Sequence, residues 1–343
     1  MIFCRKCLLP ETYPGIKFSE KGICNVCNTY QKKWNDNNFE AEKKELEKIV
    51  QRLNDSGKPV LVTLSGGMDS AYAAYLAAGV YKLNVIGANF DNGFVTETAK
   101  RNLRKITEKL QIPITYIRTD RKALYKLYRA FLLRTGDFCT PCCQGCCCAG
   151  FSVAEDKGIN TIIHGGVSGS RVEFNVLGML RHHYERFMKY AGDFSSRELK
   201  GIVSHPDTIS QFELISLPRY VEWREDDILE TVKRELDWEP LSDGETRHVD
   251  CSVSQVSDYL LARKFGYSKR WMTISANIRA GHVSLEKGLK SILEEETKVL
   301  EEPAEISELL DSLGVSRKEL EELPFYCTEP AIYHLEKADI TEV

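Results

Sequence analysis

The chain has 343 residues, of which 43% are hydrophobic and 28% charged, and its formal net charge is −4. This is globular composition, with length for a core of roughly 200 residues plus smaller modules, and it provides no overall positive field that would attract nucleic acid. No apolar run reaches the ~20 residues of a membrane-spanning helix, and the N-terminus has no signal-peptide pattern, so we expect a cytoplasmic protein.

Residues 1–35 are expected to form a small metal-binding module. Its four cysteines form two C-x-x-C pairs, Cys4 with Cys7 and Cys24 with Cys27. Two such thiolate pairs are the ligand pattern of a tetrahedral structural zinc site, which would staple a segment too short and loop-rich to fold alone. Apolar residues at helical spacing predict a linking helix within residues 36–57.

Residues 58–225 are predicted to form an α/β domain with a doubly wound, mainly parallel sheet. Four apolar segments alternate with helical patterns there and are expected to be strands. They cover residues 60–64, 83–90, 114–118 and 161–164. Ligands of such sheets bind outside the carboxyl ends of the strands. Residues 226–343 are predicted to be mostly helical and to contact the substrate or a partner.

A glycine-rich loop follows the first of these segments. Its sequence, SGGMDS, contains Ser65, Gly66, Gly67, Asp69 and Ser70. Glycines let the backbone approach a ligand closely, and the start of a helix offers N–H groups and a positive dipole end to phosphates. The motif is more specific than an isolated GxG, and the Walker pattern is absent. We therefore predict that ATP binds here with Mg²⁺, that Asp69 is a ligand of the hydrated ion, and that Asp69 and Ser70 are catalytic.

This loop resembles that of the PP-loop ATP pyrophosphatases, which cleave ATP between its α- and β-phosphates. Many members of that class have lysine where this chain has Met68, which leaves Mg²⁺ or an arginine to offset the phosphate charge. Arg171 and Arg279 are the candidate arginines, with Arg279 also expected to be catalytic and Arg171 a substrate contact. The nucleotide is further expected to be bordered by Asn89, Asp91, Gly165 and Gly166.

A second cysteine-rich segment, GDFCTPCCQGCCCAG, follows the third predicted βα unit. It contains Cys139, Cys142, Cys143, Cys146, Cys147 and Cys148. Together with Cys251, the Cys139-x-x-Cys142 pair resembles the three-cysteine ligation of iron–sulfur-dependent tRNA thiolases of the PP-loop class. Such ligation of a 4Fe–4S cluster leaves one iron open for chemistry. Zinc, or thiols that carry sulfur as persulfide, are the alternatives at these positions.

Over most of residues 1–290 the chain resembles the N-acetyl sugar amidotransferases, a PP-loop family associated with acetamidino sugars of bacterial surface polysaccharides. The matching segments are CRKCLLPETYPGIKFSEKGICNVC, SGGMDS, GDFCTPC, EWRED, ELDWEP, HVDCSVSQVSDYLLARKFGY and IRAGHVS. The resemblance implies that the acetamido oxygen of an N-acetyl sugar is adenylated and replaced by ammonia, with release of AMP and pyrophosphate. It also implies a separate glutaminase subunit, since the chain shows no recognisable glutaminase site. Glu222 and Arg224 are candidate sugar contacts.

The extra cysteines of the second segment depart from the family pattern and favour a competing hypothesis. In that hypothesis the same adenylated oxygen, on tRNA or a small molecule, is displaced by sulfur. A third interpretation is a zinc- and nucleotide-binding regulator without turnover. The basic stretch between Arg118 and Arg134 fits a solvated helix face better than an RNA contact. The sequence leaves open both RNA binding and assembly into a homo-oligomer.

Overall fold

A computed structural model describes residues 1–34, 39–166, 184–191, 194–195, 199, 202–203, 205–242, 244–323 and 329–335. The strands are β1 (Val60–Thr63), β2 (Val85–Phe90), β3 (Ile114–Ile117), β4 (Thr161–His164) and β5 (Glu213–Ser216). The helices are α1 (Asn25–Trp34), α2 (Phe39–Ser56), α3 (Met68–Ala74), α4 (Glu97–Leu110), α5 (Arg121–Thr135), α6 (Cys139–Asp156), α7 (Pro206–Ile209), α8 (Leu217–Tyr220), α9 (Glu225–Leu236), α10 (Ser254–Phe265), α11 (Lys269–Ala280), α12 (Leu285–Val299), α13 (Ile306–Leu313), α14 (Arg317–Glu321) and α15 (Ile332–Leu335). A π-helical turn at Tyr75–Val80 continues α3.

The strands form one parallel sheet in the order β3-β2-β1-β4-β5. The predicted doubly wound parallel sheet is confirmed, and each of the four expected segments contains a strand. β5 is a fifth strand that the sequence pattern did not reveal. β2 and then β3 lie on one side of β1 in the sheet, and β4 and then β5 lie on the other side. The strand order therefore reverses between β1 and β4, and such a reversal leaves a crevice at the carboxyl ends of the two strands.

Helices cover both faces of the sheet, which explains why the strands are apolar on both sides. Val60 and Val62 of β1 point into a core shared with α2, α3, α4 and α9. Leu61, between them, points into the opposite core, against α6. Because side chains alternate along a strand, a strand buried on both faces is a continuous apolar run without a polar face. This is the pattern that made β1 recognisable in the sequence.

Helix α6 carries the second cysteine segment directly over the sheet. It contains two glycines at points of close approach, where a Cβ atom would lie 2.4 Å from the Phe90 ring at Gly145 and 3.0 Å from Thr63 Cγ2 at Gly150. The absence of side chains at these two positions lets the helix lie across β1 and β2. The cysteines of α6 are thereby held against the parallel sheet.

The N-terminal module packs on the C-terminal helices. The Phe3 ring stacks on the Trp271 indole with centroids 6.1 Å apart, and Trp271 Nε1 donates to the Leu8 carbonyl at 2.9 Å. Phe3, Leu8 and Trp271 belong to one buried cluster with residues of α12 and α15. The helical C-terminal region was expected, although α11, which contains Trp271, was not. None of the helices in the described part of the chain combines the length and apolarity needed to cross a membrane.

Candidate active site

The loop between β1 and α3 is a tight turn closed by serine hydroxyls. Gly66 has φ of +90°, and a Cβ atom there would lie 2.5 Å from the Ala99 carbonyl oxygen. The Gly67 N–H donates to Ser65 Oγ at 3.2 Å. Ser70 Oγ donates to the Gly67 carbonyl at 3.0 Å and lies 3.2 Å from Ser65 Oγ. The conformation therefore requires glycine at position 66 and gathers two hydroxyls at the start of α3.

Side chains from α4 and from the segment after α9 brace this loop. Trp238 Nε1 donates to the Gly66 carbonyl at 3.0 Å. Asn102 donates from Nδ2 to the Glu239 carbonyl at 2.8 Å, and its Oδ1 accepts from the Glu239 N–H at 2.9 Å. The paired bonds fix the segment that carries Trp238. The loop is thus held in place before any ligand binds.

Two residues expected at the adenosine lie at the end of β2. Asn89 is 5% exposed, and its Nδ2 donates to the Leu64 carbonyl at 2.6 Å. Asp91 Oδ1 accepts from the Gly93 N–H at 3.0 Å, and Asp91 Oδ2 lies 3.2 Å from Arg121 Nη2. Asn89 therefore holds Leu64, the residue directly before the glycine-rich loop (the phosphate loop, residues 65–70). Its contact with nucleotide, and that of Asp91, stay predictions.

Asp69 occupies the first turn of α3 in a partly buried, negatively charged setting. Trp223 Nε1 donates to Asp69 Oδ1 at 2.8 Å. Burial raises the pKa of Asp69 to about 6, opposed by the Trp223 hydrogen bond and reinforced by the charges of Glu225 and Asp250. A cation bound at this carboxylate would offset those charges. The donor set therefore fits Mg²⁺, a hard ion that prefers carboxylate oxygens.

Asp250 is a second carboxylate at the loop, and sequence reasoning did not select it. A Cβ atom placed on Gly67 would lie 3.5 Å from Asp250 Oδ2. The segment around it is fixed to the chain after β2, because Thr96 Oγ1 donates to the Val249 carbonyl and the Ser252 N–H donates to the Phe94 carbonyl at 2.8 Å. The HVDC motif was the available signal for this aspartate.

The expected glycines after β4 also border the loop. A Cβ atom on Gly165 would lie 2.5 Å from the Asp69 carbonyl oxygen and 3.2 Å from the Trp223 ring. Gly166 follows with φ of +76°. The chain after β4 therefore contacts the start of α3 directly, and only glycine fits at position 165. Nucleotide contact at Gly165 and Gly166 stays a prediction.

Cys139 of α6 has polar partners from the C-terminal helices. Cys139 Sγ lies 2.9 Å from Ser257 Oγ, and Lys269 Nζ lies 2.7 Å from Ser257 Oγ and 3.8 Å from Cys139 Sγ. Burial raises the pKa of the Cys139 thiol to about 11, and the positive charge of Lys269 opposes that shift. The ammonium group of Lys269 is therefore a counter-ion for a thiolate at Cys139.

Cys142 and Cys251 are electrostatic neighbours of Cys139. Burial raises the pKa of Cys251, and negative charge on Cys142 and Cys139 raises it further. The structure thus brings the three expected cysteines into one region. The compact four-sulfur arrangement of the N-terminal module is not repeated there among the described residues.

The four N-terminal cysteines are assembled as a ligand set. All are buried, and their sulfurs lie within 4.8 Å of one another, with 3.7 Å between Cys4 and Cys27 and 3.8 Å between Cys7 and Cys24. Thiolates placed tetrahedrally ~2.3 Å from a zinc ion are about 3.8 Å apart. The Cys24 N–H also donates to Cys4 Sγ at 3.3 Å. These residues could hold one metal ion.

The charged residues expected at the phosphates or the substrate have different partners in the structure. Arg279, expected at the phosphates or the substrate as a catalytic residue, donates from Nη1 to Cys7 Sγ at 3.3 Å, and its catalytic role stays a prediction. Glu222 and Arg224 are exposed and lie 3.7 Å apart, and Glu222 Oε1 is 3.9 Å from His282 Nε2. Their contact with sugar stays a prediction. Arg171 lies outside the described residues.

Two family models match separate parts of the chain. Residues 38–135 match NAD synthase, and this match, together with the fold and the glycine-rich loop, indicates an ATP-using enzyme of the PP-loop class. Residues 242–341 match the C-terminal domain of WbpG-like LPS biosynthesis proteins. This pair of domains is consistent with the N-acetyl sugar amidotransferase family of the PP-loop superfamily.

Two individual relatives match the chain over very different lengths. An uncharacterized protein of Methanocaldococcus jannaschii is 26% identical over 308 residues, which are 89% of this chain and 96% of that protein. The glutamine-hydrolysing GMP synthase of Helicobacter acinonychis is 31% identical over 117 residues, which are 34% of this chain and 22% of that enzyme. The match to GMP synthase therefore concerns one part of each chain.

Solved structures that are similar to the chain include two enzymes. NMN synthetase from Francisella tularensis has a TM-score of 0.35 and 17% identity, with 72% of this chain and 95% of that chain covered. The U34-tRNA thiolase NcsA from Methanococcus maripaludis with its 4Fe–4S cluster has a TM-score of 0.34 and 16% identity, with 88% of this chain and 89% of that chain covered.

Proposed function

We propose that the protein uses ATP to adenylate the acetamido oxygen of an N-acetyl sugar and then replaces that oxygen with ammonia, forming an amidine. One observation carries this proposal. The WbpG-like domain supplies Asp250 to the phosphate loop, where its carboxylate faces Gly67. A domain typical of LPS biosynthesis proteins thus shares a site with the domain that binds ATP, and a sugar precursor is the acceptor that fits both.

The start of α3 is the binding site for the leaving pyrophosphate. The hydroxyls of Ser65 and Ser70 lie 3.2 Å apart at the start of α3, where the positive end of the helix suits an oxyanion. Asp69 and Asp250 are the carboxylates that would hold Mg²⁺. When bound, this ion would offset charge on the phosphates. Donors fixed in advance by Trp238 and Asn102 need little reorganisation as charge develops.

The two chemical steps need no protein nucleophile. The amide oxygen attacks the α-phosphorus, the bond from that phosphorus to the bridging oxygen of the β-phosphate breaks, and pyrophosphate leaves. Ammonia then attacks the amide carbon, which now carries a good leaving group, and the carbon–oxygen bond breaks with release of AMP. The product is the amidine, and the surplus proton passes to solvent. The main task of the enzyme is to orient the reactants.

Zinc is the metal we propose for the N-terminal module. The spacing of its sulfurs supports a tetrahedral ion, and hydrogen bonds to ligand sulfurs, such as that from Arg279 to Cys7, are typical of outer-sphere support. We further propose a separate glutaminase subunit as the ammonia source. The partial likeness to a glutamine-hydrolysing enzyme supports glutamine as the nitrogen donor.

Sulfur transfer is the second candidate, and the position of the α6 cysteines favours it. The charge of Asp250 acts on Cys142, and Cys251 is the next residue in the chain. Cys139, Cys142 and Cys251 therefore lie beside the carboxylate that faces the phosphate loop. A sulfur atom held by these cysteines could displace the same adenylated oxygen. A cluster with an open iron would carry sulfur as sulfide, whereas a persulfide would transfer its outer sulfur while a second cysteine forms a disulfide with the carrier cysteine.

The mass of the product distinguishes amidotransfer from sulfur transfer. The protein, purified without oxygen, is incubated with Mg²⁺ and ATP, a panel of free and nucleotide-linked N-acetyl sugars, and either ¹⁵N-ammonium or sulfide. AMP and pyrophosphate are measured, and products are analysed by mass spectrometry. Replacement of oxygen by a ¹⁵N-labelled imino group supports amidotransfer, whereas replacement by sulfur supports the second candidate. AMP formation with neither exchange, in the wild type but not in Asp69→Asn, would contradict both acceptor assignments.

A further inference from the structure

Lys269 is a charged side chain whose hydrogen-bond partners are a hydroxyl and a thiol. It is the first residue of α11, and its Nζ donates to Ser257 Oγ of α10 at 2.7 Å and to Cys139 Sγ of α6 at 3.8 Å. None of the described carboxylates is within ion-pairing distance of this half-buried ammonium group, and Asp258 and Asp137 act on it only from farther away. A partly buried charge that pairs with no opposite charge is costly and requires an explanation.

The position of Lys269 does not follow from the stability of its own helix. The N-terminus of a helix is the positive end of its dipole, where a cation is destabilising. Ser268, the preceding residue, already caps α11 by accepting from the Trp271 N–H at 3.2 Å. The presence of a lysine at this position is therefore explained by the group that its ammonium contacts and not by helix capping.

The contacts of Cys139 Sγ favour a negatively charged sulfur. Ser257 Oγ lies 2.9 Å from Cys139 Sγ. Because Ser257 Oγ accepts a hydrogen from Lys269, its own hydroxyl hydrogen can be donated to the sulfur. Cys139 is also the first residue of α6, and the start of a helix stabilises an anion. A hydroxyl donor and an ammonium group thus converge on one sulfur atom from two helices of the C-terminal region.

These contacts fit a sulfur that is a metal ligand. Together with Cys142 and Cys251, Cys139 is expected to hold a 4Fe–4S cluster, and donors outside the ligand set orient ligands and tune the metal. We propose that Lys269 and Ser257 are positioning residues of this cluster, which hold the Cys139 sulfur as a ligand and raise the reduction potential of the cluster. Hydrogen bonds and positive charge at a ligand sulfur stabilise the reduced form, which carries more negative charge. This inference rests on the cluster of the sulfur-transfer candidate and is independent of the acceptor.

A set of variants with a matched control tests the proposal. Lys269→Met removes the charge and keeps a long side chain, Lys269→Arg keeps the charge, and Ser257→Ala removes the hydroxyl. Lys290→Met, the control, removes an exposed lysine of α12 that pairs with Glu294. Each full-length protein is purified without oxygen and reconstituted with ferrous iron and sulfide. Iron and acid-labile sulfide per chain are measured, and the midpoint potential is determined by a redox titration followed by electron paramagnetic resonance.

The Lys269→Met cluster is expected to be harder to reduce than the wild-type cluster. The ratio of oxidised to reduced cluster at a given potential should rise on the order of tenfold, which is a midpoint ~59 mV lower for one electron. Ser257→Ala should shift it less in the same direction, and Lys269→Arg should keep most of the wild-type value. If Lys269→Met holds no cluster, retention of the cluster in Lys269→Arg supports the proposal and its loss there overturns it.

Three results would overturn the proposal. One is a lower thermal stability or iron content in Lys269→Met and Ser257→Ala while the remaining clusters keep the wild-type potential, which indicates a structural role. Another is the same potential in Lys269→Met and Lys290→Met. The third is a wild-type iron content that Cys142→Ser does not lower, which would show that these cysteines hold no cluster. The titration contains no sugar or ammonia, so its failure is distinct from a failure of amidotransfer in the product-mass assay.

Discussion

Alanine at Gly66 is expected to disable the phosphate loop, whereas alanine at the adjacent Gly67 is expected to leave it folded. Gly66 has φ of +90°, a region that costs an L-residue about 1–2 kcal/mol. Its new Cβ atom would also lie 2.5 Å from the Ala99 carbonyl oxygen, and this is backbone inside α4 that cannot swing aside. Gly67 has φ of −76° and ψ of 167°, and its nearest contacts are the side chains of Ser65 at 3.3 Å and Asp250 at 3.5 Å.

The two variants therefore differ in a quantity that can be measured. Backbone strain together with displacement of α4 is expected to lower the free energy of unfolding of Gly66→Ala by about 2–5 kcal/mol, and Gly67→Ala by less than ~1 kcal/mol. Denaturant unfolding measures the difference, and the slope of the transition shows whether two-state behaviour is preserved. Pyrophosphate release should be lost in Gly66→Ala. Equal stability of both variants, with ATP turnover retained, would refute the assigned loop conformation.

Three further predictions concern single side chains. Cys4→Ser should lower the metal content by one ion per chain and destabilise the N-terminal module, because metal binding there contributes folding energy; unchanged metal stoichiometry would contradict the assignment. Trp223→Phe should reduce ATP-dependent pyrophosphate release by roughly tenfold through loss of one hydrogen bond to the Asp69 carboxylate, and a wild-type rate at saturating Mg²⁺ would show that this bond is dispensable. Cys142→Ser and Cys251→Ser should each remove any visible iron–sulfur absorption, and a normal spectrum in either variant would separate that residue from a shared cluster.

The fold could be predicted for those elements whose local sequence alone identifies them as a strand or a helix. β1 is a short apolar run followed by two glycines, and both its strand character and its loop follow from that pattern. α6 could not be predicted, because its sequence contains a proline, two glycines and six cysteines, which are poor helix signals. Its glycines are explained only by what they touch, the Phe90 ring and Thr63. Hydrophobic periodicity along the sequence does not reveal a helix that is stabilised mainly by close contact with a sheet.

The site was predictable for residues within the motif and not for residues brought in from a distance. Asp69 belongs to the loop sequence. Asp250 contacts the same loop although it lies 181 positions after Asp69 in the chain (250 − 69). Arg279 was expected at the phosphates or the substrate, and the structure has its Nη1 donating to Cys7 Sγ. Charge identifies a group that can bind an anion but contains no information about distance.

The adjacency of Asp250 and Cys251 connects the two candidate reactions. Asp250 faces the phosphate loop, and Cys251 lies among the thiols of α6, so an acceptor adenylated at the loop would have the cysteines beside it. Ammonia and sulfur would then attack the same carbon from the same site, and the chemical state of the cysteines selects between them. Roughly four irons with matching acid-labile sulfide per chain favour sulfur transfer. A second zinc ion per chain, beyond the one proposed for the N-terminal module, favours ammonia, because cysteines bound to a closed zinc site cannot deliver sulfur.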